Sequence, residues 1–301
     1  MQMADESAPR ATPAVPKVQG FYDEHSKTVS YVIYGEPGGA CAVIDPVLDF
    51  DPHAGHTNPA TVDRLVEFIR GEDLTVEWIL ETHIHHDHLS GAHALKQQLG
   101  GRIVIGAHAP RVAEVIRRVY NLPGDTGADA FDRLLGDGET FGIGGIEASV
   151  FYTPGHTIDS VSYRIGNAVF VGDVMFMPDF GTGRCNFHGG DAHALYRSIR
   201  RLLALPPETR MFTGHDYRPG GRAAAWETTV AAQRAENVHA HDGVDEESFV
   251  RLRTERDRGL GAPALLLPSL QVNIRGGRMP EPEANGTVYL KIPVDIPGDA
   301  V

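Results

Sequence analysis

Apolar and polar positions in the first half of the chain repeat with two periods in turn. From Val29 to Tyr34 and from Cys41 to Ile44, β-branched and aromatic residues run in short blocks. Gly35-Glu36-Pro37-Gly38-Gly39 separates them, which predicts a hairpin-like pair of strands closed by Asp45-Pro46. Asn58-Pro59 then offers a cap and a proline at the first helical position. Val62, Leu65, Val66 and Ile69 follow at helical spacing until Gly71. The run Val76 to Thr82 predicts a buried strand, and Leu89 to Leu99, ending at Gly100-Gly101, predicts a helix. Ile103 to Ile105 predicts another strand, after which Pro110 opens a helix carrying Val112, Val115, Ile116 and Val119.

Beyond a Gly-, Asp- and Pro-rich loop from Asn121 to Asp129 the pattern changes to successive strands. Ile146, Ala148, Val150 and Tyr152 alternate, and Val161 to Ile165 and Ala168 to Val171 flank Gly166-Asn167. Ala194 to Leu203 reads as a helix ended by Pro206-Pro207, and Met211-Phe212-Thr213 as a short strand. A charged helical stretch covers about 223–260, with a break at His241-Asp242-Gly243; Leu265-Leu266-Leu267-Pro268 returns to the core, and a Gly/Pro-rich tail starts at Arg275. No repeat of 20 to 50 residues is visible. Strands then helices, twice, predict an α/β (α+β) fold with two sheets face to face and helices outside. Met1 to Lys17 reads as a mobile tail, and residues 18–301 as a single domain with a helical C-terminal extension.

Composition narrows the function classes. The 301 residues hold 40 acids against 27 bases, a formal charge of -13, which argues against a general nucleic-acid or anionic-membrane surface. Two cysteines are too few for a disulfide framework and point to a reducing, cytoplasmic compartment. No apolar stretch approaches the roughly 18 residues of a membrane span, and the N-terminus has neither a signal-peptide core nor the acid-poor character of a transit peptide.

The fifteen histidines matter by placement. Thr82-His83-Ile84-His85-His86-Asp87-His88 sits directly behind a predicted strand. His156 in Thr153-Pro154-Gly155-His156-Thr157, Asp173 after Gly172, and His215-Asp216 after Gly214 repeat the arrangement: a β run stops, a glycine turns the backbone, and a metal-ligating side chain is presented. His86 is the weak member, because alternation points it away from His83 and His85. His25, His53, His56, His93, His108, His239 and His241 read as ordinary surface or hydrogen-bonded core residues. Imidazole suits Zn, Fe, Cu and Ni alike, so residue type leaves the metal open.

H-x-H-x-D-H followed by T-P-G-H-T, G-D and a late G-H-D resembles the metallo-β-lactamase fold family over roughly Val18 to Tyr217. The resemblance implies a four-layer αββα sandwich with a metal site along the sheet edges. Hydrolytic members of that family imply two zincs, one on His83, His85 and His156, the other on Asp87, His88 and His215, with Asp173 between them. The segment Met177 to Asp191 is similar to bacterial persulfide (sulfur) dioxygenases, relatives of the ethylmalonic encephalopathy protein and of glyoxalase II. Leu195-Tyr196-Arg197-Ser198-Ile199, Thr213 to Tyr217 and Leu267 to Asn273 extend the similarity.

That resemblance implies one Fe(II) per chain held by His83, His156 and Asp173, with His85, Asp87, His88 and His215 orienting ligands and water. A 2-His-1-carboxylate set is typical of non-haem Fe(II) oxygenases. It further implies glutathione persulfide and O₂ as substrates, sulfite and glutathione as products, and a role in sulfide detoxification. Arg184 matches the family's Gly-x-Gly-Arg element and would hold a glutathione carboxylate, with Tyr217 and Arg218 as second contacts. Thr182, Asn186 and His188 depart from the commoner residues of the family, which bears on substrate preference. Cys185 beside the site reads as an inert buried thiol. Oligomeric state, as a homodimer or otherwise, and a sulfurtransferase partner are left open by the sequence.

Overall fold

Every residue of the strand Val29–Tyr34 is buried, although its neighbours along the chain are turns. A strand needs cover on both faces to be buried throughout, and two apolar clusters supply it, Val29, Tyr31 and Ile33 in one and Val32 and Tyr34 in the other. In the computed structural model, which describes residues 14–123, 128–187 and 189–295, one six-stranded sheet has the order Lys17–Tyr22, Val29–Tyr34, Ala40–Ile44, Thr75–Leu80, Arg102–Gly106, Arg133–Leu135. The other runs Thr140–Ile143, Ile146–Tyr152, Val161–Ile165, Ala168–Phe170, Arg210–Phe212, Glu227–Thr229.

Between the sheets lies a cluster including Tyr31, Ile33, Ile44, Trp78, Leu80, Val150, Tyr163 and Phe170. On the outer face of the first sheet, Val32, Val43 and Ile79 pack under the helices Ala60–Gly71, Ala92–Leu99, Ala109–Tyr120 and Leu266–Asn273. Outside the second sheet, Val169, Val171 and Met211 pack under Ala192–Leu203 and Glu246–Arg258. Three buried interfaces between four layers make an αββα sandwich. The period-2 signal is real where one face is less covered: in Ile146–Tyr152, Ile146, Ala148 and Val150 are buried while Glu147 is exposed and Ser149 half-buried.

Parallel pairing sets the site. Thr75–Leu80 lies parallel to both Ala40–Ile44 and Arg102–Gly106, and Ala168–Phe170 parallel to Arg210–Phe212. Parallel neighbours end at the same edge of a sheet, so the segments after residues 44, 80, 170 and 212 emerge together.

Several expected boundaries shift. The first helix starts at Ala60, with Pro59 at the cap and the Asn58 side chain accepting from the Ala60 N–H. Leu89–Ser90 pairs with Val47–Asp51 in a small third sheet, delaying the next helix to Ala92. The helical stretch about 223–260 contains a strand, Glu227–Thr229, at the edge of the second sheet, followed by separate helices Val230–Glu236 and Glu246–Arg258. The strand Lys17–Tyr22 begins on the last residue of the expected N-terminal tail, whose residues 1–13 lie outside the described residues, as do 124–127 of the Asn121 loop and His188. No helix among the described residues is long and apolar enough to cross a membrane.

Candidate metal centre

The two sheet edges deliver seven side chains to one place. After Thr75–Leu80 come His83, His85, Asp87 and His88; after Ile146–Tyr152, His156; after Ala168–Phe170, Asp173; after Arg210–Phe212, His215. Ligand atoms of His83, His156 and Asp173 lie within 4.8 Å of one another, and so do those of His85, Asp87 and His88. The Nε2 of His215 is 3.2 Å from Asp173 Oδ1 and 3.3 Å from Asp87 Oδ2, linking the groups. All but Asp87 are more than nine-tenths buried.

His83, His85 and His88 are each tied by one nitrogen and leave the other free, while His156 is tied by Nδ1 with its Nε2 3.4 Å from Asp173 Oδ2. His156 Nδ1 donates to the Arg184 carbonyl (2.7 Å), His88 Nδ1 to the Leu89 carbonyl (3.1 Å), and His85 Nε2 to Asp45 (2.9 Å), while His83 Nδ1 pairs with Thr82 Oγ1 (3.0 Å). The remaining atoms, His83 Nε2, His85 Nδ1, His88 Nε2, Asp87 Oδ2 and Asp173 Oδ1, are buried and without hydrogen-bond partners. Orphaned buried polar atoms cost stability unless something pairs with them. Five of them converging, with lone pairs fixed by outer hydrogen bonds, fit a bound cation.

For His83, His88 and Asp173 the charge states agree with ligation by neutral imidazole and ionised carboxylate, whereas for His85 burial is outweighed by Asp45 and Glu81, which raise it well above the usual histidine range. Burial, with His85 and His156 nearby, pushes His83 well below the usual histidine range, and burial beside His85 takes His88 to about 4. Burial opposes ionisation of Asp173, but His215 and His156 hold it well below the usual carboxylate range. His215 is likewise opposed by burial and raised to about 9 by Asp173 and Asp87.

Sequence reasoning passed over the residues that hold these ligands. Asp45, in a left-handed conformation (φ 46°), accepts from Thr82 N (2.7 Å) and Thr82 Oγ1 (2.8 Å) as well as from His85. Glu81 Oε2 stands 3.2 Å from His85 Nε2. Asp159 accepts from the Ile84 N–H (2.7 Å), and Asn273, far along the chain, donates to the carbonyls of His85 and His88 (2.8 Å each). An acidic residue just after a strand, Asp45-Pro46, was the one available signal.

The loop 181–187 closes the site from the second sheet. Arg253 and Asp257 form a buried pair in which Arg253 also donates to the Thr182 carbonyl (3.1 Å) and Asp257 accepts from Cys185 N (2.8 Å). Burial beside Asp257 pushes the Cys185 thiol up to about 12, so it stays protonated. The Arg184 guanidinium donates to Asn186 Oδ1 and to the carbonyls of Gly261 and Leu260. Tyr217 stacks on Phe180 (4.6 Å) and His215 (5.6 Å), and burial near Asp173 and Asp87 pushes its hydroxyl well above the usual range. Arg218 points elsewhere, paired with Glu24 (2.7 Å) over the Tyr22 ring. His86 packs edge-on against Phe187 (4.2 Å) rather than joining His83 and Asp173.

Comparisons with known proteins follow the same lines. The chain is similar to a beta-lactamase hydrolase-like protein of Agrobacterium fabrum, 49% identical over 95% of this chain and 67% of that one. It is 32% identical to a hydroxyacylglutathione hydrolase of Rhodospirillum rubrum, over 62% of this chain and 61% of that one. Among solved structures, ETHE1 from Myxococcus xanthus superposes with a TM-score of 0.71 at 28% identity, covering 87% of this chain and all of the other. With residues 26–215 also matching the family model, the two-sheet fold and its edge of histidines and aspartates place this chain in the metallo-beta-lactamase superfamily.

Proposed function

We propose that this chain is an iron-dependent persulfide dioxygenase, converting glutathione persulfide, O₂ and water to glutathione and sulfite with release of two protons. The observation that carries the reading is the grouping of His83, His156 and Asp173, two imidazoles and one carboxylate with free ligand atoms at one point. The likeness to ETHE1 across nearly the whole chain supports it. Fe(II) bound there supplies open positions for O₂ and a substrate sulfur.

The protein's own part is orientation and exclusion of water. The Arg184 carbonyl fixes His156 with Nε2 available, while Asp45 fixes His85. Arg184 uses three N–H groups on protein oxygens, and two of the guanidinium's five remain for a glutathione carboxylate. Phe180, Phe176 and Tyr217 form an aromatic wall beside His215 that keeps water from one side. Arg218, engaged with Glu24, is the weaker substrate contact.

A second reading, a dizinc thioester or lactone hydrolase, is favoured by the free Nε2 of His88 and Oδ2 of Asp87 and by the hydroxyacylglutathione hydrolase relative. The two are separated by adding O₂ to the Fe(II)-loaded protein with glutathione persulfide. The dioxygenase reading expects O₂ uptake equal to sulfite formed. No uptake, together with cleavage of a glutathione thioester by the zinc form, would establish the hydrolase.

A further inference from the structure

A cavity of about 320 Å³ lies between the helices Ala109–Tyr120 and Leu266–Asn273, walled by Val112, Ile116, Tyr120, Leu267 and Leu270 and closed by Leu260 and Phe187. Besides the Tyr120 hydroxyl its polar lining comes from His86, Thr157, Arg184 and Asn186; His86 lies within the His83–His88 segment, Thr157 follows His156, and the Arg184 carbonyl accepts from His156. The His86 ring is 6.5 Å from that of His156, and its Nδ1 is buried without a hydrogen-bond partner. Phe187 stands between, 5.4 Å from His156, with the Arg184 guanidinium 4.7 Å over its ring.

Glutathione does not complement this space. Its amides would be buried against leucine and isoleucine side chains with nothing to pair them. A purely apolar ligand fails at the other end, where a guanidinium with two free N–H groups and an unpaired imidazole nitrogen require an oxygen-bearing, negatively charged head. We infer that the cavity is a subsite for the aliphatic chain of an amphipathic sulfur acid, with its anionic head on Arg184, and that such persulfides are a second substrate class for the metal centre.

The inference rests on the sulfur-oxidising reading for its chemistry, with the aliphatic thiol taking the place of glutathione in the same balanced reaction: R–S–SH, O₂ and water give R–SH and sulfite with two protons. Binding in the cavity is independent of that reading. Arg184 also donates to the carbonyls of Leu260 and Gly261, so the residue that would hold the head also pins the loop covering the tail.

Calorimetric titration of the metal-loaded protein with acetate, butyrate, hexanoate, octanoate and octylammonium tests the site. Acetate reports the metal and Arg184 alone. Affinity should rise about two- to fourfold per methylene from butyrate to octanoate, and octylammonium should bind at least tenfold more weakly than octanoate. Ile116→Trp should flatten the chain-length series while leaving acetate binding and metal content unchanged. Leu267→Trp, at a half-buried position, provides the same test should the first variant fold poorly by circular dichroism. A flat series in the wild type, or a slope that survives both tryptophans, overturns the subsite.

The source of the chain is decided by competition. Octanoate should raise KM for whichever glutathione substrate turns over and leave kcat unchanged. Octanoate binding with no effect on KM overturns the assignment to substrate. Absence of O₂ uptake would remove the dioxygenase reading alone, because the binding series has no turnover in it.

Discussion

Gly183 packs its backbone directly against Asp173, and a single methyl there should disable the centre. A Cβ built on Gly183 lies 1.9 Å from the Asp173 carbonyl oxygen and 3.4 Å from His156 Nδ1. A carbon and a carbonyl oxygen approach to about 3.3 Å at closest in ordinary contacts, so Gly183→Ala requires the two backbones to separate by about 1.4 Å. Neither side yields easily. Asp173 sits between Gly172, whose carbonyl accepts from Gly214 N (3.0 Å), and Val174, whose N–H donates to Val171 (3.1 Å). The loop is held by Arg253 and Asp257.

Overpacking of this kind costs about 1–3 kcal/mol of stability, whereas misplacing a reacting group by about 1 Å costs on the order of a hundredfold in rate. Gly183→Ala should therefore fold, with a modestly lowered urea midpoint, and yet lose metal and nearly all turnover. Gly142→Ala, where a Cβ meets nothing within 4 Å, serves as the control. Urea unfolding, metal per chain and kcat measured on both variants decide it. Wild-type metal content with activity within twofold in Gly183→Ala would refute the placement of Asp173 against this loop.

Other outcomes follow from the same contacts. Asp257→Ala leaves Arg253 buried without its carboxylate and Cys185 N without an acceptor; breaking such a pair costs about 3–5 kcal/mol, readable as a lowered urea midpoint. Asp159→Ala removes the acceptor of the Ile84 N–H in a fully buried place, at about 1–3 kcal/mol, and should speed metal loss to a chelator by loosening the His83–His88 segment. Burial opposes ionisation of Asp132, but Lys96 and the Ile103 N–H hold its carboxyl below the usual range. A lowered folded pKa gives stability present above the unfolded value near roughly 4 and lost as pH falls. The urea midpoint should thus drop more steeply between pH 6 and pH 3 in the wild type than in Asp132→Asn, and parallel curves would contradict this.

How far the fold could be read from the chain depended on how local its signals were. Ile146–Tyr152 and Ala109–Tyr120 carry their own periodicity and Val29–Tyr34 is a short β-branched and aromatic block, so their type was legible, and so was the two-sheet arrangement. Glu227–Thr229 was not, because three polar residues become a strand only through pairing with Arg210–Phe212. The strand-end histidines were visible because a glycine, an apolar run and a ligating residue are neighbours in sequence.

The residues that hold them were hidden by distance. Asp45 reaches His85 across 40 positions, Asp159 reaches Ile84 across 75, and Asn273 reaches His85 across 188. Arg184 was marked by its Gly-x-Gly-Arg element and Arg218 only by standing near His215, and their surroundings differ accordingly: carbonyls and an apolar cavity for one, Glu24 for the other. The cavity itself needed two helices more than 140 residues apart to be packed side by side.

The central claim, one working metal on His83, His156 and Asp173, is tested most directly by counting ions in protein purified from iron-supplemented cells. Elemental analysis of the wild type, Asp173→Ala and His88→Ala should give one iron per chain, almost none, and close to one. Two ions per chain in the wild type, falling to one in His88→Ala, would contradict it and make the centre dinuclear.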